Sequence, residues 1–298
     1  MTLEVELKLA INSPEQVPTE AMLFACWQPL LAEPVIRHAE KQLFNAYFET
    51  AQQWFRQHDC GLRTRLKSGQ YEQTIKLAGQ QHGAAHIRPE YNQPCHGVVP
   101  ILADFPAEIW PANTDVALLQ QQLVELFRTD FVRHAFVLTL HDGSVVEAVL
   151  DIGSVVGGGA TAPICELELE LQQGHVEALF TLARSMLGAL PLSLGFQSKA
   201  ERGYRLAQQQ PLTWLTPEPD ADLKQWLRAI SQNLLLQQQQ PNDLQANALT
   251  GLWQQLRARL VQHQVPTALC TRAMQLDIAI AGDFQLWLLD FSAWLLEQ

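Results

Sequence analysis

Two short stretches, far apart in the chain, hold the residues best suited to chemistry. Glu4, Glu6 and Lys8 alternate with Leu3, Val5, Leu7 and Leu9, and Glu166, Glu168 and Glu170 alternate with Cys165, Leu167, Leu169 and Leu171. Alternation of period two puts the charges on one face of a strand and the apolar side chains on the other. Neighbours on one face then stand about 7 Å apart. Three like charges in a row repel one another, and a cation among them removes that cost. For either stretch alone, a strand facing water is the plain alternative. Basic residues recur on other strand-like stretches: Arg63 and Arg65 with Lys67, Lys76 with Thr74, Arg88 with Glu90, Arg133, and Lys199. Carboxylate oxygens are hard ligands that suit Mg2+ or Mn2+. Arginine forks and lysine ammonium groups suit phosphoryl oxygens. The two sets together fit a metal-bound polyphosphate better than either fits alone.

These side chains need a frame. Strands are expected over residues 3–9, 61–67, 71–78, 85–92, 132–140, 145–151, 165–171 and 198–206. Ser68-Gly69-Gln70 and His141-Asp142-Gly143-Ser144 are hairpin turn signals between consecutive pairs of them. Helical spacing falls at residues 13–25, about 50–57, 115–127 and 174–189. The fold class is α+β, an eight-stranded antiparallel closed β-barrel flanked by helices. The oily strand faces would point outward under the helices, leaving the charged faces to line the lumen. A lumen carrying both signs must pair or ligate them. Residues 207–219 read as a Pro-rich linker between a first domain, 1–206, and a small all-α domain, 220–298. That second domain reads as about four helices, with breaks near Pro241-Asn242-Asp243, Pro266 and Gly282-Asp283.

Composition narrows the field. Of 298 residues, 47% are hydrophobic, enough for a sizeable core, and the formal net charge of -11 disfavours nonspecific nucleic-acid binding. Five scattered cysteines without a CxxC pair suit a reduced, cytoplasmic protein. The acidic N-terminus is unlike a signal peptide, and no apolar run approaches a membrane span.

Glu4-Val5-Glu6-Leu7-Lys8 resembles the ExExK signature of the CYTH superfamily, the triphosphate tunnel metalloenzymes. Leu62-Arg63-Thr64-Arg65, Thr74-Ile75-Lys76, Arg88-Pro89-Glu90, Leu150-Asp151, Glu166-Leu167-Glu168 and Ser198-Lys199 follow in that family's order. The resemblance is nearest to bacterial inorganic triphosphatases in which a tunnel domain precedes a helical CHAD domain. It implies a tunnel open at both ends and metal-dependent hydrolysis of inorganic triphosphate to pyrophosphate and phosphate. It also implies Glu4, Glu6, Glu166 and Glu168 as metal ligands, and Lys8, Arg63, Arg65, Lys76, Arg88, Arg133 and Lys199 as phosphate-binding residues. Lys8, Lys76 and Asp151 would be catalytic, Asp151 aiding metal or water. Whether Glu90, Glu147, Glu170 and Arg202 face the tunnel stays open. Arg202 sits at odd spacing from Lys199 and faces away in a regular strand. Residues 220–298 depart from a full CHAD domain, being shorter and poorer in bases. They read as a packing or dimerisation module, with a homodimer as one outcome.

Other signals carry less. Gly157-Gly158-Gly159 lacks the Lys-Ser/Thr of a phosphate loop and reads as a strand connection. His82, His86 and Cys95-His96 lack helical i, i+4 geometry for zinc. Trp226, Trp253, Trp287 and Trp294 read as helical core. Within the fold the rival activities are adenylate cyclase and hydrolysis of thiamine triphosphate or a nucleoside triphosphate. From another class comes a noncatalytic polyphosphate-binding module, against which the full carboxylate set argues.

Overall fold

The computed structural model describes residues 1–278 and 281–298. Its strands are β1 (Thr2–Ile11), β2 (Ile36–Arg37), β3 (Lys41–Glu49), β4 (Gly61–Lys67), β5 (Gln70–Lys76), β6 (Gln80–His82), β7 (Ala85–Cys95), β8 (Val124–Thr139), β9 (Val145–Gly157), β10 (Ala160–Gln173) and β11 (Leu192–Leu194). Helices α1 (Glu20–Trp27), α2 (Trp54–Gln57), α3 (Val116–Gln122), α4 (Glu177–Ala189) and α5 (Lys199–Ala207) are interspersed with them. Helices α6 (Leu223–Gln239), α7 (Asp243–Gln262), α8 (Thr267–Gln275) and α9 (Ala281–Leu296) follow.

The sheet runs β1-β10-β9-β8-β3-β4-β5-β7, and β7 pairs back onto β1. Among the described residues, eight antiparallel strands thus close a barrel, as the alternating pattern predicts. Each expected hairpin forms. Lys67 pairs with Gln70 across Ser68-Gly69, both at positive φ, and Asp142 Oδ1 accepts from Ser144 N in the β8–β9 turn. The triple glycine is also a hairpin: Gly157 pairs with Ala160 across Gly158-Gly159.

The outward strand faces are the oily ones. Leu7, Leu9, Leu167 and Leu169 are fully buried beneath α1 and α4, which bring Leu23, Trp27, Leu179, Leu182 and Met186 to the same core. Helices α6–α9 extend that core, with Trp226, Trp253 and Trp287 buried and Trp294 packed against it. A second core covers β3, β4 and β5, where Phe48, Leu62 and Ile75 meet Phe55 and Leu119 from α2 and α3.

Several expectations change. Residues 41–49 form a barrel strand that the pattern hides. Leu43 and Tyr47 face an apolar cluster inside the barrel, while Ala46 and Phe48 face the outer core, so both faces are apolar and no alternation appears. Residues 198–206 are helix α5, with Ser198 as N-cap of a complete capping box with Glu201. That helix lies on the inner side of β8, β9 and β10. Its Tyr204 joins Phe127, Phe131, Val155 and Ile164 in filling one end of the lumen, so the passage is not open at both ends. Gly203 makes room, since a Cβ there would collide with the Phe127 ring. The helix α9 already includes Gly282 and Asp283 in its first turn, so the break before it lies upstream, partly outside the described residues. No described helix is long and apolar enough to cross a membrane.

Candidate active site

Strand register assembles the charged side chains. On β1 and β10, Lys8 stands opposite Glu168 and Glu6 opposite Glu170. Asp151 on β9 lies between Glu166 on β10 and Arg133 on β8. Around the other side, Glu4 faces Arg88, and Lys76 faces Glu90. A cavity of about 640 Å³ occupies the lumen. Glu4, Glu6, Lys8, Arg63, Arg65, Lys76, Arg88, Arg133, Glu168 and Lys199, all singled out from sequence, line it. Asp151 and Glu166 are buried in the wall behind Lys199.

The charges fall into two groups. Asp151, Glu166 and Glu168 offer one oxygen each within 4.8 Å of one another. Lys199 bridges all three carboxylates, 2.7 Å from Asp151 and 3.0 Å from Glu168, with Glu166 closer still. Lys8 pairs with Glu168 and, at 2.7 Å, with Glu6. Arg202 also pairs with Glu166. In a helix, positions i and i+3 share a face, so Arg202 points the same way as Lys199, contrary to the strand expectation.

The second group holds Glu4 and Glu90. Lys76 reaches Glu4 at 2.6 Å and Glu90 at 2.9 Å, and Arg88 lies 3.3 Å from Glu6. The four carboxylates expected as one metal set are therefore divided: Glu166 and Glu168 cluster with Asp151, while Glu4 and Glu6 are held by Lys76, Lys8 and Arg88. Glu90 and Glu170, left open by the sequence, both line the cavity. Glu147 is the register partner of Glu170 on β9.

Electrostatics follow from burial against pairing. Burial alone would raise the Asp151 carboxyl, but Lys199 and Arg133 outweigh it and hold the pKa low. Burial opposes ionisation of Glu6 too, yet Lys8 helps bring it to about 2. Glu170 makes no ion pair among the described residues, and burial with Glu4 nearby pushes it up to about 7. Burial, with Arg63 and Arg133 close by, pulls the Arg65 guanidinium down to about 9. Arg65 donates to Asn45 Oδ1 at 2.7 Å and makes no ion pair among the described residues. Arg63 Nε, Arg88 Nε and His86 Nε2 are buried and unpartnered. His86, weighed in the sequence only as a zinc ligand, lies two residues before Arg88 and so shares its strand face.

Three close, buried carboxylates suit a hard divalent cation. One Glu166 oxygen accepts no hydrogen bond although the Lys199 ammonium lies beside it, which leaves a lone pair for such an ion.

The family model of the CYTH domain matches residues 2–204. An inorganic triphosphatase of Haemophilus influenzae is 33% identical over 221 residues, covering 72% of this chain and 58% of the relative. The chain thus spans little more than half the length of that curated relative. Among solved structures, the chain is similar to a Hippeastrum protein described as an adenylyl cyclase candidate with a dominant triphosphatase activity. That likeness has a TM-score of 0.45 and 15% identity, over 70% of this chain and 97% of the other. The PH1819 protein of Pyrococcus horikoshii gives a TM-score of 0.40 at 18% identity, over 67% and 97% of the two chains.

Proposed function

The chain belongs to the CYTH domain family, and we propose that it hydrolyses inorganic triphosphate to pyrophosphate and phosphate inside the barrel. The observation that carries this reading is Arg65. It is a half-buried cation without a carboxylate partner among the described residues, crowded by Arg63 and Arg133. Such a charge is costly unless a ligand supplies the anion. The unpartnered Nε donors of Arg63 and Arg88 add to the same demand. Three phosphoryl groups bring many acceptor oxygens and several negative charges at once, which suits such a wall.

Asp151, Glu166 and Glu168, with Glu4 and Glu6 on the neighbouring strand, would hold Mg2+ or Mn2+. Such a metal neutralises phosphoryl oxygens and lowers the pKa of a bound water. Arg63, Arg65, Arg88 and Arg133 bind and orient the phosphate chain. Lys8, Lys76 and Lys199 bring ammonium groups to its oxygens and offset charge building on the pyrophosphate leaving group. Asp151 holds Arg133 in place and is the carboxylate assigned to metal or water. The α5 end of the lumen, packed with Phe127, Phe131 and Tyr204, keeps bulk water out.

The same reading places the protein in the cytoplasm, with no nucleic-acid or membrane partner. It divides the chain at 207–219 and gives 220–298 a packing or dimerisation role. The deciding experiment is a panel of triphosphate, ATP, thiamine triphosphate and long polyphosphate with Mg2+ or Mn2+. Metal-dependent phosphate release strongest on triphosphate supports the proposal. Tight binding without turnover supports a binding module instead, and preference for an organic triphosphate supports the rival activities.

A further inference from the structure

Most cations that line the cavity come from barrel strands or α5. Two come from elsewhere: Arg56 of α2, which lies over the Tyr204 ring, and Arg228. Arg228 belongs to α6, beyond the residues matched by the family model, and still lines the cavity. Its neighbours Trp226, Leu227, Ala229 and Ile230 are all buried, while Arg228 is exposed. It makes no hydrogen bond or ion pair among the described residues, unlike Lys8, Lys76 and Lys199 deeper in. Other exposed residues lining the cavity are Ala78, Gly79 and Gln80, which are uncharged, and Arg56, Asp59 and Glu201, which are charged.

The helix is fixed where it meets the barrel. Gly83 sits at φ +64 in the turn between β6 and β7, and a Cβ there would meet Ser292 of α9 and Leu227 of α6. His82 Nδ1 lies 3.0 Å from the Leu295 carbonyl, and Leu194 N donates to Gln285 Oε1 at 2.8 Å. Leu227 is thus wedged against the barrel, and the next residue is held at the cavity.

We propose that Arg228 is a specificity-determining residue, binding phosphoryl groups of a linear polyphosphate that extend past the third. The inference rests on the reading that a phosphate chain occupies the lumen. The cavity, about 640 Å³, has the liquid volume of about 20 waters. The part of a longer chain that emerges at the rim meets Arg228 as an unpaired cation, where it forms a solvent-exposed, charge-assisted contact. The C-terminal helices then contribute to substrate choice.

The test is calorimetric binding of inorganic triphosphate and linear tetraphosphate to the full chain in chelating buffer, using wild type, Arg228→Ala and Arg228→Glu. Expected is a loss of about three- to fivefold in tetraphosphate affinity for the alanine variant, the scale of an exposed ion pair. The glutamate variant should lose more, triphosphate should lose less in both, and the difference should shrink at high salt. Unchanged tetraphosphate affinity, or equal losses on both ligands, overturns the role of Arg228. Failure of wild type to bind either ligand overturns the occupancy reading and this inference with it, an outcome distinct from variants matching an active wild type.

Discussion

Arg133 on β8 and Asp151 on β9 face each other with two parallel hydrogen bonds, Nε to Oδ1 at 2.7 Å and Nη2 to Oδ2 at 2.6 Å. Asp151 is fully buried, and Lys199 adds a third contact. This fork locks the Arg133 guanidinium onto the carboxylate cluster of the neighbouring strands β9 and β10. Replacing Asp151 by Asn leaves Arg133 and Lys199 short of countercharge. The expected cost is about 3–5 kcal/mol, the range for breaking a buried pair. Urea unfolding of the variant against wild type measures it.

Arg65 should behave in the opposite way. It makes no ion pair among the described residues and burial opposes its charge, so Arg65→Met should leave stability unchanged or raise it by about 1–3 kcal/mol. The same change should weaken triphosphate binding at least tenfold, about 1.4 kcal/mol. Paired thermal melts and binding titrations read both effects. A variant that is destabilised yet binds normally contradicts the assignment.

Glu90 sets an acid limit. Burial opposes its ionisation, but Lys76 and Arg63 outweigh burial and bring it from 4.5 to about 2. A lowered folded pKa gives stability that is present above the unfolded value and lost as pH falls through the folded one. The wild type should therefore lose stability between about pH 4.5 and 2. Glu90→Gln should show a shallower acid limb when the midpoint of denaturation is followed against pH.

Glu170 has the reverse sign. Its folded pKa, raised to about 7 by burial and Glu4, gives stability that is present below the unfolded value and lost as pH rises through 7. Glu170→Gln removes that dependence. In metal-free buffer the variant should gain on wild type between pH 5 and 8, reaching about 1–3 kcal/mol. A constant difference across that range speaks against the assigned shift.

Metal and substrate should act through the native state. At a free concentration of 100 Kd, triphosphate with Mg2+ should add about 2.7 kcal/mol of stability. Chelation should remove both phosphate release and most of that gain. Differential scanning fluorimetry and a phosphate-release assay, with and without EDTA, report the two together.

The division between sequence and tertiary structure is clear at particular residues. Glu4, Glu6, Lys8, Glu166 and Glu168 could be assigned to one strand face because side-chain parity is local and survives any surroundings. The hairpins at Ser68-Gly69 and Asp142-Gly143 were equally legible, since turn chemistry is local too. The family signature supplied the order of the remaining bases. Strand β3 was hidden because Leu43 and Tyr47 meet apolar neighbours inside the barrel, just as Ala46 and Phe48 do outside. Helix α5 carries a readable sign, Ser198 followed by Glu201, but the strand pattern places Lys199 on a strand. Only the closed barrel decided which charges meet: Asp151 with Glu166 and Glu168, Glu4 with Lys76, and Arg65 in no ion pair among the described residues. Such pairings depend on register between neighbouring strands and on closure of the barrel, and a slip of one residue would have turned each side chain to the other face. The approach of Arg228 to the lumen depends likewise on how α6 and α9 dock on Gly83, which its own segment does not encode.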